Sequence, residues 1–331
     1  MRNFKQAILL LIMLWSNTLL AQHIEVLQQG NPTSIRGLSV VNNQVAWISG
    51  SKGNIAITTD GGKSWKWQQI KGFEKSDFRD IEAFSAKEAI IMSSGTPALI
   101  MKTIDGGINW KVNYQNADTS YFLDAMDFDS PKHGFVMGDP INGKFLLMET
   151  KNGGDTWTLC TGPDAVKNQA AFAASGTCLR INGIFAIATG GPVAALLTQK
   201  DKQWTKISVP ITHGKSTQGA FSIAVGKNQL IIVGGDYQKN KRRDSTACYS
   251  FDKGKTWQLS TTFPSGYQSG AEYVKKNIFL STGTAGSNIT TDGGKNWVKI
   301  EDTSYNVCRK AKHGNLVLLA GDKGKIGVLK F

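Results

Sequence analysis

The octapeptide TTDGGKSW, Thr58–Trp65, recurs along the chain, and its recurrence restricts the fold more than any other feature. Near-copies end at Trp110 (TIDGGINW), Trp157 (TKNGGDTW), Trp257 (SFDKGKTW) and Trp297 (TTDGGKNW), and an eroded copy, TQKDKQW, ends at Trp204. The tryptophans are spaced by 45, 47, 47, 53 and 40 residues. A self-similar unit of that length, made of short strands, is the signature of a propeller blade. The 36 glycines among 331 residues are well above the usual ~7%, whereas the 8 prolines are not in excess. That balance fits many strands joined by tight turns rather than a collagenous or disordered chain.

Each unit divides into four strands. In the first, Ser34–Val41, Val45–Ser49 and Asn54–Thr58 precede the Asp-Gly-Gly turn, and Ser64–Ile70 follows it. The runs alternate apolar and polar residues, as half-buried antiparallel strands do. Further units begin near Phe78, Phe122, Ala171, Gly219 and Gly270. A seventh offers Val307–Lys310, Leu316–Ala320 and Ile326–Lys330 and then lacks an outer strand. His23–Gln29 is an orphan strand patterned like the outer strands, and supplying it to the last unit removes an open edge. The expected fold is therefore all-β: a seven-bladed propeller whose last blade is closed by the N-terminal strand, with six or eight blades as the alternatives. Residues 22–331 are expected to form one domain.

The first 21 residues read as a secretory signal. Arg2 and Lys5 precede an apolar run, Ala7–Leu20, with Ala21 at the cleavage edge, and the run is short for a membrane anchor. Export, to the periplasm or beyond the cell, is the expectation, with no membrane span. The formal charge of +13, or +11 without Arg2 and Lys5, favours an acidic partner such as a protein face or an anionic glycan. No basic run interleaves with aromatics, so nucleic acid is not expected; KNKRR, Lys239–Arg243, reads as a solvated loop tip. Cys160, Cys178, Cys248 and Cys308 lack metal-ligand spacing and leave free thiols or one disulfide open.

The repeated octapeptide has no helix after it and no GKS/T ending, so it is not a phosphate loop. Asp60, Asp105, Asp252 and Asp292, with Asn152 in one copy, suit turns that bond their own amides, and Trp65, Trp110, Trp157, Trp257 and Trp297 suit wedges between sheets.

These residues carry a resemblance. S/T-x-D-x-G-x-x-W resembles the Asp-box, or BNR repeat, of sialidases and related propellers. GSKGNIAITTDGGKSW (Gly50–Trp65) resembles the blade consensus of the photosystem II stability/assembly factor family, the Ycf48/Hcf136-like seven-bladed propellers. MGDPINGKF (Met137–Phe145), AFAASGT (Ala171–Thr177), VGGDY (Val233–Tyr237) and PSGYQSG (Pro264–Gly270) resemble a bacterial branch of it that is often labelled oxidoreductase. The resemblance implies a factor that meets a membrane-protein partner through an arginine-rich face; a monomer with no cofactor and no catalysis is the expectation.

Innermost strands and their loops line a propeller's funnel. Arg36, Arg79 and Arg309 open first strands in blades that are neighbours once the ring closes, a cationic patch suited to carboxylates, sulfates or phosphates; pairing with Asp80 and Glu82 is the alternative. Asp124, Phe172, Tyr267 and Gln268 complete the funnel candidates. Asp124, Asp127, Asp129, His133 and Asp139 cluster in blade three, where calcium competes with turn chemistry as an explanation. A sialidase-like hydrolase is the enzyme alternative, needing the arginines together with a glutamate (Glu82 or Glu272) and a tyrosine (Tyr267 or Tyr273). No dinucleotide, haem or copper motif supports an oxidoreductase.

Overall fold

The computed structural model describes residues 22–331, and the expected signal segment lies outside them. Its 28 strands make seven four-stranded antiparallel blades. The inner strands are, in order, Ile35–Val40, Asp77–Ala83, Leu123–Phe128, Leu179–Arg180, Lys215–Val225, Gly270–Lys275 and Val307–Lys310. In blade 7 the N-terminal His23–Gln28 pairs with Ile326–Lys330, with His23 opposite Lys330 and Ile24 opposite Leu329. Ring closure is reinforced between blades 7 and 1, where the Lys312 and His313 amides donate to the Val40 and Val41 carbonyls.

Strand burial departs from the simple alternation expected. The second and third strands, such as Ala46–Gly50 and Ala98–Thr103, are buried on both faces, whereas the outer Lys66–Gln69 is largely exposed. A blade is stacked between two others, so both faces of its central strands meet apolar neighbours, as in sheets covered on each side. The core is accordingly inter-blade: Trp47 and Ile55 of blade 1 pack with Phe78, Ile81 and Ile91 of blade 2.

Five blades end their third strand in the same turn. In blade 1 the Thr58 hydroxyl donates to Asp60 Oδ1 (2.8 Å) and accepts from the Gly62 amide (2.9 Å). Asp60 also accepts from the Ser64 amide (3.0 Å) and hydroxyl (2.5 Å). The pattern repeats at Asp105, Asn152, Asp252 and Asp292. Gly61 and Gly62 have φ of 78° and 91°, a region side chains disfavour. The Gly61 amide donates to Gln44 O, tying this turn to the one between strands one and two on the same face. The tryptophan completes the wedge; Trp110 meets Trp47 of the preceding blade edge-on at 6.3 Å. Blade 4 instead turns through Asp201 and Lys202, both at positive φ, with no carboxylate cap.

Blade 4 also departs from the expected inner strand. Pairing starts at Leu179 rather than Ala171, and Ala171–Thr177 leaves the sheet. In its place blade 4 borrows from blade 5: Gly190 pairs with Gly219 and Gly191 with Lys215, merging the two sheets. Only glycines permit this crossing, since a Cβ on Gly190 would lie 2.5 Å from the Phe172 ring and 2.6 Å from Gly219 Cα.

Candidate functional site: a plugged axial passage

Ala171–Thr177 crosses the ring axis and touches the other six blades. The Arg36 guanidinium of blade 1 donates to Ala174 O (3.4 Å). Asp80 of blade 2 packs its carboxyl against Gly176, where a Cβ would lie 2.3 Å away. Asp139 of blade 3 accepts from the Ala171 amide (3.3 Å). Phe172 stacks on Phe221 of blade 5 with centroids 3.7 Å apart, and Thr177 donates to Ser222 (2.5 Å). Ser175 donates to Ser269 O of blade 6 (2.7 Å), and Arg309 of blade 7 donates to Gly176 O (3.4 Å). The small residues Ala173–Gly176 fit where seven strands converge, and Gly176, at φ 66°, supplies the bend. The passage becomes two chambers separated by this plug.

One chamber is the funnel at the start of the inner strands. Four of those strands carry a β-bulge at the same level, between Ile35 and Gly37, Phe78 and Asp80, Leu123 and Ala125, and Ala220 and Ser222. Bulges re-aim the extra residue. Here those residues are Arg36, Arg79, Asp124 and Phe221, which gather around the plug. Arg79 pairs with Asp77 (2.7 Å) and lies over Phe122. It does not pair with Asp80, whose oxygens accept from the Ile81 and Met126 amides (2.9 and 2.8 Å), nor with Glu82, which is bound by Lys312. Asp124 is 1% exposed, and neither carboxylate oxygen has a well-aligned hydrogen bond. Burial and the neighbouring Asp139 carboxyl push it well above the usual range, while Arg79 and the Ala173 amide pull the other way. Burial raises Asp139 to about 6. Tyr267 meets Phe221 edge-on, and the exposed Tyr237 stands beside both. Gln268 is buried under this wall, donating to the Gly266 and Tyr267 carbonyls and accepting from Asn288, so it sets the position of Tyr267.

Arg309 is not part of this group. It lies beyond the plug, in a chamber of about 740 Å³ that opens on the Asp-box face and that Arg180, Glu272, Asp127 and Glu82 also line. The three-arginine patch is thus divided into Arg36 with Arg79 on one side and Arg309 on the other. The blade-three cluster is divided as well: Asp124 and Asp139 face the funnel, Asp127 accepts from the Ile181 amide (2.7 Å), and Asp129 and Glu149 bracket His133 (2.8 and 2.9 Å). The sialidase set is likewise not assembled, since Tyr267 borders the funnel while Glu82, Glu272 and Tyr273 line the opposite chamber.

Residues 20–117, the closing strand and the first two blades, match the family model described as photosynthesis system II assembly factor YCF48. Among solved structures, YCF48 bound to D1 peptide superposes with a TM-score of 0.65 at 15% identity, covering 93% of this chain and 97% of that one. YCF48 from Cyanidioschyzon merolae gives 0.67 at 14% identity, over 92% and 98%. The Pan2 WD40 domain of Neurospora crassa gives 0.62 at 12% identity, over 90% and 89%. No curated protein matches. The opening blades thus resemble this family in sequence, and the described chain shares the propeller fold of these structures throughout.

In this propeller the plug is the feature that sequence reasoning missed. AFAASGT was legible as a motif, and its run of small residues at a predicted strand start was the available signal. Arg180, buried on the axis, was missed too, because it stands in a two-residue strand with no repeat partner. All four cysteines are free thiols, Cys178, Cys248 and Cys308 fully buried.

Proposed function

We propose that this protein is a non-catalytic, exported propeller that captures a segment of a protein partner in the funnel and serves as an envelope assembly or scaffolding factor. The observation that carries the reading is the funnel floor: a plug that stops the passage, flanked by Arg36, which has no carboxylate within 4 Å among the described residues, and by the wall Phe172–Tyr267–Tyr237. A blind funnel suits an inserted chain segment, with Arg36 and Arg79 taking a carboxylate of the partner and the tyrosines its apolar side chains. A similar fold has been solved as YCF48 bound to D1 peptide, which supports a protein segment over a glycan. The separation of Tyr267 from Glu82 and Glu272 supports binding over sialidase-like hydrolysis.

The test is capture from a cell-envelope extract by immobilised protein with cross-linking. Arg36→Gln combined with Arg79→Gln should reduce capture at least tenfold while the melting temperature stays within a few degrees. Undiminished capture would remove the funnel from the account, and turnover of a sialyl glycoside by the unmodified protein would overturn the non-catalytic reading.

A further inference from the structure

The chamber on the Asp-box face has no part in the proposed capture, yet it is built like a ligand site. Its volume of about 740 Å³ lies within the range of small-molecule pockets, roughly 300–1,000 Å³. The plug closes its inner end, and inner-strand ends form its walls. The question is which charges in it remain uncommitted.

The carboxylates are largely engaged. Glu82 holds Lys312, Asp129 holds His133, Glu272 faces Arg180 at 3.7 Å, and one oxygen of Asp127 accepts from the Ile181 amide. The cations are not all engaged. Arg309 has five N–H donors, and among the described residues its one hydrogen-bond partner is the Gly176 carbonyl at 3.4 Å. Among the described residues no carboxylate lies within 4 Å of Arg309 or of its neighbour Lys310, which stands 5.9 Å from the Tyr273 ring centre. Arg180 uses its Nε on Ile223 O (3.0 Å), and its pairing with Glu272 is loose. Arg180 and Arg309, from blades 4 and 7, line the same chamber, and burial together with the Arg309 charge depresses Arg180 against the opposite pull of Glu272, Asp127 and Asp80. The Asp80, Glu272, Asp127 and Glu82 carboxyls act on Arg309 and favour its charged form against burial, yet none is bonded to its guanidinium, and a guanidinium fork matches the planar geometry of a carboxylate or the oxygens of a phosphate. Phe84 and Tyr273 at the lining supply apolar surface for the rest of such a molecule.

We propose that this chamber is a binding site for a small organic anion, held by its carboxylate or phosphate between Arg309 and Arg180 with Lys310 at the mouth. The site is separate from the funnel and stands whether or not the funnel binds protein.

Isothermal titration calorimetry of the whole protein with citrate and, separately, with inorganic phosphate tests it. Saturable binding of either probe is expected, at least tenfold weaker in Arg309→Gln and several-fold weaker in Lys310→Glu. Glu272→Gln should bind severalfold more tightly, because it removes the carboxylate that competes for Arg180. Arg36→Gln, across the plug, should leave the affinity unchanged. If Arg309→Gln does not fold, the opposite shifts of Lys310→Glu and Glu272→Gln decide. Binding of neither probe, equal binding in Lys310→Glu, or a loss in Arg36→Gln would each overturn the proposal.

Discussion

The aspartates at the rim of the ring and those at its axis are the same residue in opposite surroundings. At the rim, Asp60 is bonded by the Ser64 hydroxyl and amide and by Thr58, which hold it at about 2. Asp105 and Asp252 are lowered in the same way, by Asn109 and Thr256 respectively. For Asp292, burial pulls upward, but bonds from Asn296 and Thr290 outweigh it. At the axis burial dominates: Asp80 rises to about 7 and Asp139 to about 6, and Asp124 lies well above the usual range. Rim carboxylates stabilise the fold above their unfolded pKa of about 3.9 and lose that contribution as pH falls through their lower folded values. Axial carboxyls do the reverse. Their contribution is complete below about 3.9 and is lost as pH rises towards the raised folded values, between about 4 and 7 for Asp80. Recurrence in the sequence marks turn chemistry; uniqueness marks the axis, where ionisation costs stability.

The sharpest way to break this contrast is at the plug. Gly176→Val places a branched side chain at φ 66° against the Asp80 carboxyl and should cost about 3 kcal/mol or more, read from the urea midpoint. Near-normal stability would mean that the axial carboxyls do not hold the plug. Next in size, Asp292→Ala should lose about 1–2 kcal/mol at neutral pH. The deficit should narrow below about pH 4, as the native carboxylate protonates, and funnel binding should persist. A deficit that does not change with pH would assign the stabilisation to something other than the charge. Smallest, and opposite in sign, Asp124→Asn should stabilise by about 1 kcal/mol at pH 8, because it removes a buried, poorly bonded carboxylate. The gain should shrink at pH 5, and thermal melts at the two pH values measure it.

The repeat made the blade count legible because each Ser/Thr-x-Asp/Asn-x-Gly-x-x-Trp turn is set by local backbone geometry, which a short window of sequence contains. The closing strand was legible for a related reason: seven inner strands need seven outer ones, and His23–Gln28 was the one without a unit. The axis was less legible. Arg36 and Arg79 were found as inner-strand residues, but which side of the plug a residue meets depends on chain segments far apart, such as Gly176 against Arg309. The inner strand of blade 4 was misplaced because Ala171–Thr177 has the composition of a buried strand. It is buried, but its partners are scattered groups of six other blades, most of them side chains, rather than one neighbouring strand.

Strand pairing in blade 7 has a further consequence. His23 lies opposite Lys330, so both ends of the described chain leave the ring on the Asp-box face. A single strand pair thus holds the first and last strands of the described chain side by side, so fraying at either end opens the ring.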